Sequence, residues 1–477
     1  MANLKSLVKE TAIYGLSSIV ARFLNYLLVL LYTYVMSAAS GGYGIVTNLY
    51  AYTALILVIL TFGMETTFFR FANKEGENPR TVFSTALCTV ATLSAVFLGT
   101  VSVFLPQITG WMGYADHPEY VLMMAAVVTL DAIQAIPFSY LRFKKRAVKF
   151  AFLKCLFIVM NIGLNLVYFL LLGHKDVFGV FALNLVCTSL ITFFFIPDFR
   201  EACGRPDFAL LRRMFSYSWP ILILGIAGIL NQTADKMIFP KVYPDSEEGI
   251  RQLAVYGACV KVAMIMAMIT QAFRYAYEPF VFSQSRDKDS KTTYALGMKY
   301  FFVFTLLAYL CVMAYLPVLR YMVGSDYWEG LRVVPIVMAA EIMMGIYFNL
   351  SFWYKLIDKT IYGAWFSFAG CFVLIAVNVI FIPRYSYMAC AWGGVAGYGT
   401  AMLLSYFVGQ RKYPIAYPLR GMAGYALLTA LLTAIVMHVP ESLPLWLRLA
   451  VNTVAVCVLL ACIVYNEWTK RKEKAKK

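Results

Sequence analysis

The chain has 477 residues, of which 61% are hydrophobic and 14% charged, and its mean hydropathy is +0.71. Soluble domains run near half apolar and a quarter charged, so a soluble enzyme is excluded and most of this chain must face lipid or other buried helices. The 41 basic and 25 acidic residues leave a net charge of +16, which in a membrane protein reports orientation before it reports nucleic acid.

A window of about 19 residues predicts spans in chain order at 11–35, 43–62, 82–105, 120–140, 151–172, 177–196 and 217–236. Seven more follow at 255–275, 294–316, 333–354, 361–382, 388–408, 421–439 and 445–465. The first is too long for the apolar core of a signal peptide and contains Arg22 and Asn25, so it reads as a retained span. The fold class is therefore an all-α polytopic membrane protein of about 14 transmembrane helices. With both termini placed in the cytoplasm, 28 of the 41 basic residues fall on that side and seven on the other. Most of the surplus charge is then a topology signal, and a nucleic-acid partner is not expected.

Ten cysteines are scattered without a CxxC pair and three histidines lie far apart, so neither a disulfide framework nor a metal site is expected. No GxxxxGK[ST] occurs, and no predicted loop exceeds about 20 residues. An autonomous ATP-driven pump, a catalytic domain and a cofactor are not expected.

Phe23-Leu24-Asn25 with Tyr43-Gly44 resembles Ile229-Leu230-Asn231 with Tyr256-Gly257 six spans later. That spacing suggests two six-helix lobes in parallel pseudo-repeat, at 1–205 and 206–412, with two further helices and a basic tail at 413–477. Glycines Gly225, Gly228, Gly393, Gly394 and Gly397 suit close helix packing. Pro137, Pro220, Pro279 and Pro335 fall near the ends of the predicted spans.

Ionisable groups at membrane depth normally face a cavity or a partner. Arg22 and Asn25 lie on a polar stripe of the first span, with Asp131 as an alternative structural partner for Arg22. In the eighth span Lys261, Met264, Met268, Gln271, Tyr275 and Glu278 step by three and four along one face, and Arg274 stands one turn before Glu278. These make Arg22, Asn25, Lys261, Gln271, Arg274, Tyr275 and Glu278 candidate substrate-binding residues, although Arg274 and Glu278 could equally form an i, i+4 pair. Asp131, Asp235 and Glu341 are candidate acids for a coupling proton or sodium ion, with pairing or capping as the alternative.

These features together resemble the polysaccharide-type lipid flippases of the multidrug/oligosaccharidyl-lipid/polysaccharide exporter superfamily. The resemblance rests on the 6 + 6 + 2 arrangement, Arg22 with Tyr43-Gly44, the Asn231 to Asp235-Lys236 stretch, and Phe273-Arg274 to Tyr277-Glu278-Pro279-Phe280. It implies a multi-pass protein of the bacterial inner membrane, both termini cytoplasmic. Its implied task is moving an undecaprenyl-diphosphate-linked oligosaccharide from inner to outer leaflet by alternating access. Expected partners are that substrate, membrane lipids, a coupling H+ or Na+, and polymerase or glycosyltransferases of the same pathway. The rivals are a cation-coupled multidrug exporter of the same superfamily and a membrane-embedded glycan polymerase or ligase.

Overall fold

The computed structural model describes residues 26–202, 204–283, 290–357, 359–440 and 442–476, and every regular element among them is helical. In chain order the first are α1 (Tyr26–Val35), α2 (Gly42–Thr61), α3 (Met64–Ala72), α4 (Pro79–Val103), α5 (Leu105–Met112) and α6 (Pro118–Phe143). They continue as α7 (Ala147–Leu166), α8 (Val177–Phe194), α9 (Ile196–Ala202), α10 (Phe208–Val242), α11 (Ser246–Ser283) and α12 (Ser290–Ala314). The remainder are α13 (Leu316–Leu319), α14 (Val334–Leu350), α15 (Phe352–Leu356), α16 (Ile361–Tyr385), α17 (Tyr387–Lys412), α18 (Leu419–Met437) and α19 (Leu445–Lys476).

Twelve helical segments among the described residues are long and apolar enough to cross a membrane. The other two expected spans coincide with α1, whose described part is short, and with α17, whose 26 residues include Gly393, Gly394, Gly397 and Gly399. Glycine lowers mean hydropathy without shortening the helix, which is why α17 falls below a purely apolar criterion. Local chemistry starts the helices where expected. Asn78 accepts the Arg80 N–H at 3.0 Å ahead of Pro79, and Asp207 accepts the Ala209 N–H at 2.8 Å, each satisfying a donor that the first turn leaves orphaned.

Two expectations need correction. The stretch between the spans predicted at 217–236 and 255–275 is not all loop: α10 runs to Val242, α11 begins at Ser246, and the side chain of Asp245 caps the new helix through the N–H of Glu247 at 2.9 Å. Charged residues stop a hydropathy window but not a helix once it leaves the apolar slab. Pro220 correspondingly lies well inside the 35-residue α10, and Pro137 lies inside α6. Both remove a backbone donor without ending their helices.

The chain divides into two compact units, 1–257 and 258–477. In the first, α2 packs on α10 and α6, and α4 and α8 pack on α6. Its core holds Met64, Phe68, Phe83, Val90, Ala132, Ile136 and Met214. Both Tyr-Gly motifs sit at one crossing here: a Cβ on Gly44 would lie 2.0 Å from the Ile250 carbonyl oxygen, and one on Gly257 would lie 2.5 Å from Thr47 Oγ1. Only hydrogen side chains allow that approach. In the second unit α14 and α16 pack on α17, while α18 and α19 pack on α12. A Cβ on Gly370 would stand 2.7 Å from the Gly397 carbonyl, so α16 and α17 also meet backbone to backbone.

Outward faces are apolar. Val148, Leu171, Phe372, Trp446 and Val454 are exposed, which suits contact with hydrocarbon, where backbone polar groups are satisfied inside each helix.

Candidate functional site

Polar groups are buried in both units, and their arrangements differ. In the first unit Asp131 of α6 lies in the electrostatic field of Lys154 from α7. The Lys154 ammonium stands 4.0 Å from the centroid of the Phe138 ring. Lys154 also interacts with Glu65 of α3; Glu65 accepts from Arg142 Nη2 at 3.3 Å, and the same Nη2 donates to Ser139 Oγ at 3.1 Å. Two acids and two bases thus offset one another inside one unit, which is how membrane-depth charges become tolerable. Beside them Gln134 Nε2 donates to the Thr188 carbonyl at 2.9 Å and to Thr192 Oγ1 at 2.8 Å, tying α6 to α8. Asn184 donates to the Tyr50 hydroxyl.

Asp235 sits in α10 at 6% exposure, with Lys236 Nζ 3.0 Å from each carboxylate oxygen and the Tyr256 hydroxyl donating to Oδ2 at 2.8 Å. Asn231 Nδ2 donates to the Ala227 carbonyl at 2.8 Å. The Tyr256 of the second Tyr-Gly motif is therefore a ligand of Asp235, a role that the sequence repeat did not reveal.

In the second unit Lys261, Met264, Met268 and Gln271 are each half-buried along α11, whereas Val262, Ala263 and Met266 on the flanking surface are buried. Glu341 on α14 is half-buried as well. Tyr275 and Glu278 lie on the same helix, but their side chains, like Arg22 and Asn25 altogether, fall outside the described residues. Arg274 sits beyond this stripe with its guanidinium carbon 4.7 Å from the centroid of Phe348.

Arg274 also lines a small cleft with Thr270, Phe273 and Tyr277 of α11, Gly345, Phe348 and Asn349 of α14, and Phe352 of α15. Two buried polar atoms here, Thr270 Oγ1 and Asn349 Oδ1, have no hydrogen-bond partner among the described residues. Buried polar atoms are nearly always paired, so this is a polar pocket with unused hydrogen-bonding capacity beside a fixed cation. The Asn349 amide is oriented by its other end, where Nδ2 donates to the Gly345 carbonyl at 3.0 Å. Burial pushes the Tyr277 phenol up to about 12, so it stays a neutral hydroxyl at physiological pH.

Sequence reasoning singled out Gln271 and Arg274 but missed Thr270, Phe348 and Asn349. Thr270 falls off the stripe that steps through Lys261 and Gln271, and Asn349 is one polar residue near the end of an apolar span. It also missed Glu65, just beyond the predicted second span, as a counterion for Arg142. No group of three or more His, Cys, Asp or Glu among the described residues could hold a metal ion.

Comparisons with known proteins bear on both fold and family. The structure is similar to "Lipid II flippase MurJ, inward closed conformation", with a TM-score of 0.73 and 14% identity over 96% of this chain and 99% of that one. It is also similar to an "Inward-facing conformation of a multidrug resistance MATE family transporter of the MOP superfamily", with a TM-score of 0.64 and 14% identity over 84% and 94% of the two chains. A third similar structure is a MOP superfamily transporter from Pyrococcus furiosus described as having reverse polarity of its binding pocket, at a TM-score of 0.57 and 14% identity over 84% and 95%. No curated protein sequence matches the chain. At such identities the likeness establishes the MOP-type transporter fold. The sequence carries the family: residues 7–279 match the model of the polysaccharide biosynthesis protein family, more than half the chain, and the chain therefore belongs to that family.

Proposed function

We propose that this protein is a flippase that carries an undecaprenyl-diphosphate-linked oligosaccharide from the inner to the outer leaflet of the bacterial inner membrane by alternating access between two six-helix lobes. The observation that carries this reading is the Arg274 cleft, where a guanidinium stacked on Phe348 adjoins the unpartnered Thr270 and Asn349 atoms. A diphosphate must shed water to cross the membrane, and a planar guanidinium with adjoining polar side chains replaces that water with charge-assisted hydrogen bonds. Lys261 and Gln271 on the same helix are further polar candidates, and Arg22, Asn25, Tyr275 and Glu278 stay in the proposal as candidates from the sequence alone.

Energy does not require ATP. Two negative charges moving outward across an inside-negative potential gain about 4–5 kcal/mol per 100 mV. An inward proton or sodium ion would add to this. The candidate acids for such an ion are Asp131, which lies in the field of Lys154, Asp235, which holds Lys236 and Tyr256, and Glu341 on α14.

The MATE-like fold also supports a second reading, a cation-coupled multidrug exporter. A pocket for organic cations calls for acids and aromatics, and the Arg274 cleft presents a cation instead. The likeness to a lipid flippase and a MATE transporter supports transport over a glycan polymerase or ligase.

The experiment is deletion of the gene followed by analysis of the lipid pool. A lipid-linked glycan should accumulate on the cytoplasmic face, restored by the wild-type protein and not by Arg274→Ala. An unchanged lipid pool with altered drug resistance would favour the exporter.

A further inference from the structure

Arg320 occupies an unusual position between α12 and α14. The connecting segment folds as α13, a short 3-10 turn at Arg320–Met322 and a second 3-10 stretch at Ser325–Val333. Trp328 is pinned there by its own ring nitrogen, which donates to the Arg320 carbonyl at 3.0 Å and the Val323 carbonyl at 3.2 Å. Tyr321 meets the indole edge-on at 5.4 Å. The Arg320 guanidinium carbon lies 4.3 Å from the Trp328 centroid and 5.2 Å from the Tyr321 centroid. A guanidinium held close to two rings has less freedom to lose when its N–H groups meet a ligand.

That cation has no carboxylate partner among the described residues. Arg320 makes no ion pair among the described residues; its one polar contact is a long 3.4 Å approach of Nη2 to the Tyr321 hydroxyl, and its buried Nε has no partner. Asp326 and Glu329 stand exposed in the same segment without pairing with it. Arg332, only 12 residues away, is different: its Nε and Nη2 both donate to the Tyr387 hydroxyl, at 3.0 and 2.5 Å. Among the described residues the fold satisfies one arginine of this segment and leaves the other with a single long contact to a neighbouring hydroxyl.

We propose that Arg320, clamped against Trp328 and Tyr321, is a phosphate-binding site for a lipid headgroup at the membrane surface where α12 ends and α14 begins. With the orientation expected from the basic residues, this segment lies on the outer side of the membrane. The chemistry is that of a planar fork meeting a phosphate, bidentate and geometrically selective. Two sources share it, a prenyl diphosphate delivered by transport and a resident anionic phospholipid. The site is separate from the Arg274 cleft and does not depend on which substrate that cleft takes.

The test uses the full-length protein in nanodiscs of neutral phosphatidylcholine, with labelled farnesyl diphosphate as the probe and equilibrium binding as the readout. Arg320→Ala should remove one class of bound probe, weakening it about 10- to 100-fold. Arg320→Lys, which keeps the charge and loses the stacked fork, should weaken it by less. Arg274→Ala should leave the Arg320-dependent class intact, so failure of the flippase reading and failure of this one are told apart. Displacement of that class by phosphatidylglycerol added to the discs assigns the site to resident phospholipid, and resistance assigns it to the diphosphate; either result supports a phosphate on Arg320. Identical stoichiometry and affinity for wild type, Arg320→Ala and Arg320→Lys, with all three monodisperse, would overturn the proposal and leave Arg320 as an interfacial anchor.

Discussion

Two clusters, one in each unit, handle buried polarity in different ways. In the first, Glu65, Asp131, Arg142 and Lys154 offset one another, and Asp235 holds Lys236. In the second, the cleft sets Arg274 over a phenyl ring beside a threonine hydroxyl and an amide oxygen that have no hydrogen-bond partner among the described residues. Paired charges rigidify a helix bundle and hold it in register. Unused hydrogen-bonding groups beside a stacked cation cost stability unless a ligand completes them. On the proposed function, the first arrangement is mainly structural and the second binds substrate.

Substitutions can break or sharpen this contrast. The largest expected effect is on transport: Arg274→Ala should lower export of the lipid-linked glycan about 10- to 100-fold, the equivalent of one charge-assisted hydrogen bond, with little change in thermal stability. Arg274→Lys should recover part of it. Export in cells, normalised to protein in the membrane, measures this. A marked fall in stability instead would mean that Arg274 is structural too.

In the first unit the order of effects should reverse. Lys154→Met strands Asp131 and Glu65 without one of their cations and should destabilise by about 3–5 kcal/mol, seen as a lower unfolding temperature in detergent. The double variant Lys154→Met with Asp131→Asn should regain most of the loss, because it removes charge from both sides. If the single variant is stable but inactive, the charge cluster belongs to the transport cycle and the contrast between the units fails.

A smaller stability effect is expected at the Tyr-Gly crossing. Gly44→Ala forces a methyl group toward the Ile250 carbonyl and should cost about 1–3 kcal/mol. Gly228→Ala, whose added Cβ would meet nothing within 4 Å, should be tolerated in the same assay and serves as the control.

Most of the fold was legible in the sequence because hydropathy reports what lipid requires. The segments at 82–105 and 361–382 lie within about three residues of α4 and α16 at either end. What escaped was polar helix: α10 and α11 extend through Lys241, Glu247 and Arg251, residues that a hydropathy window reads as loop. The candidate site was legible only along one helix. Gln271 and Arg274 could be placed on α11 by spacing alone, whereas Asn349 approaches them through the packing of α14 against α11 at Gly345 and Thr270, which no local pattern encodes. Glu65 and Arg142 are likewise 77 residues apart, and their pairing depends on how α3 meets α6. The glycines were partly readable. Gly225, Gly393 and Gly397 do sit at close contacts, and Gly228 does not.

The most direct test of the central claim is translocation in proteoliposomes. An undecaprenyl-diphosphate-linked oligosaccharide would be loaded in one leaflet under an imposed inside-negative potential, and its appearance in the other followed with a membrane-impermeant glycan-modifying enzyme. The account predicts that the wild-type protein accelerates the transfer well above protein-free vesicles and that Arg274→Ala returns it to near background. Transfer no faster with the wild-type protein than without it, or equally fast with Arg274→Ala, would contradict the account.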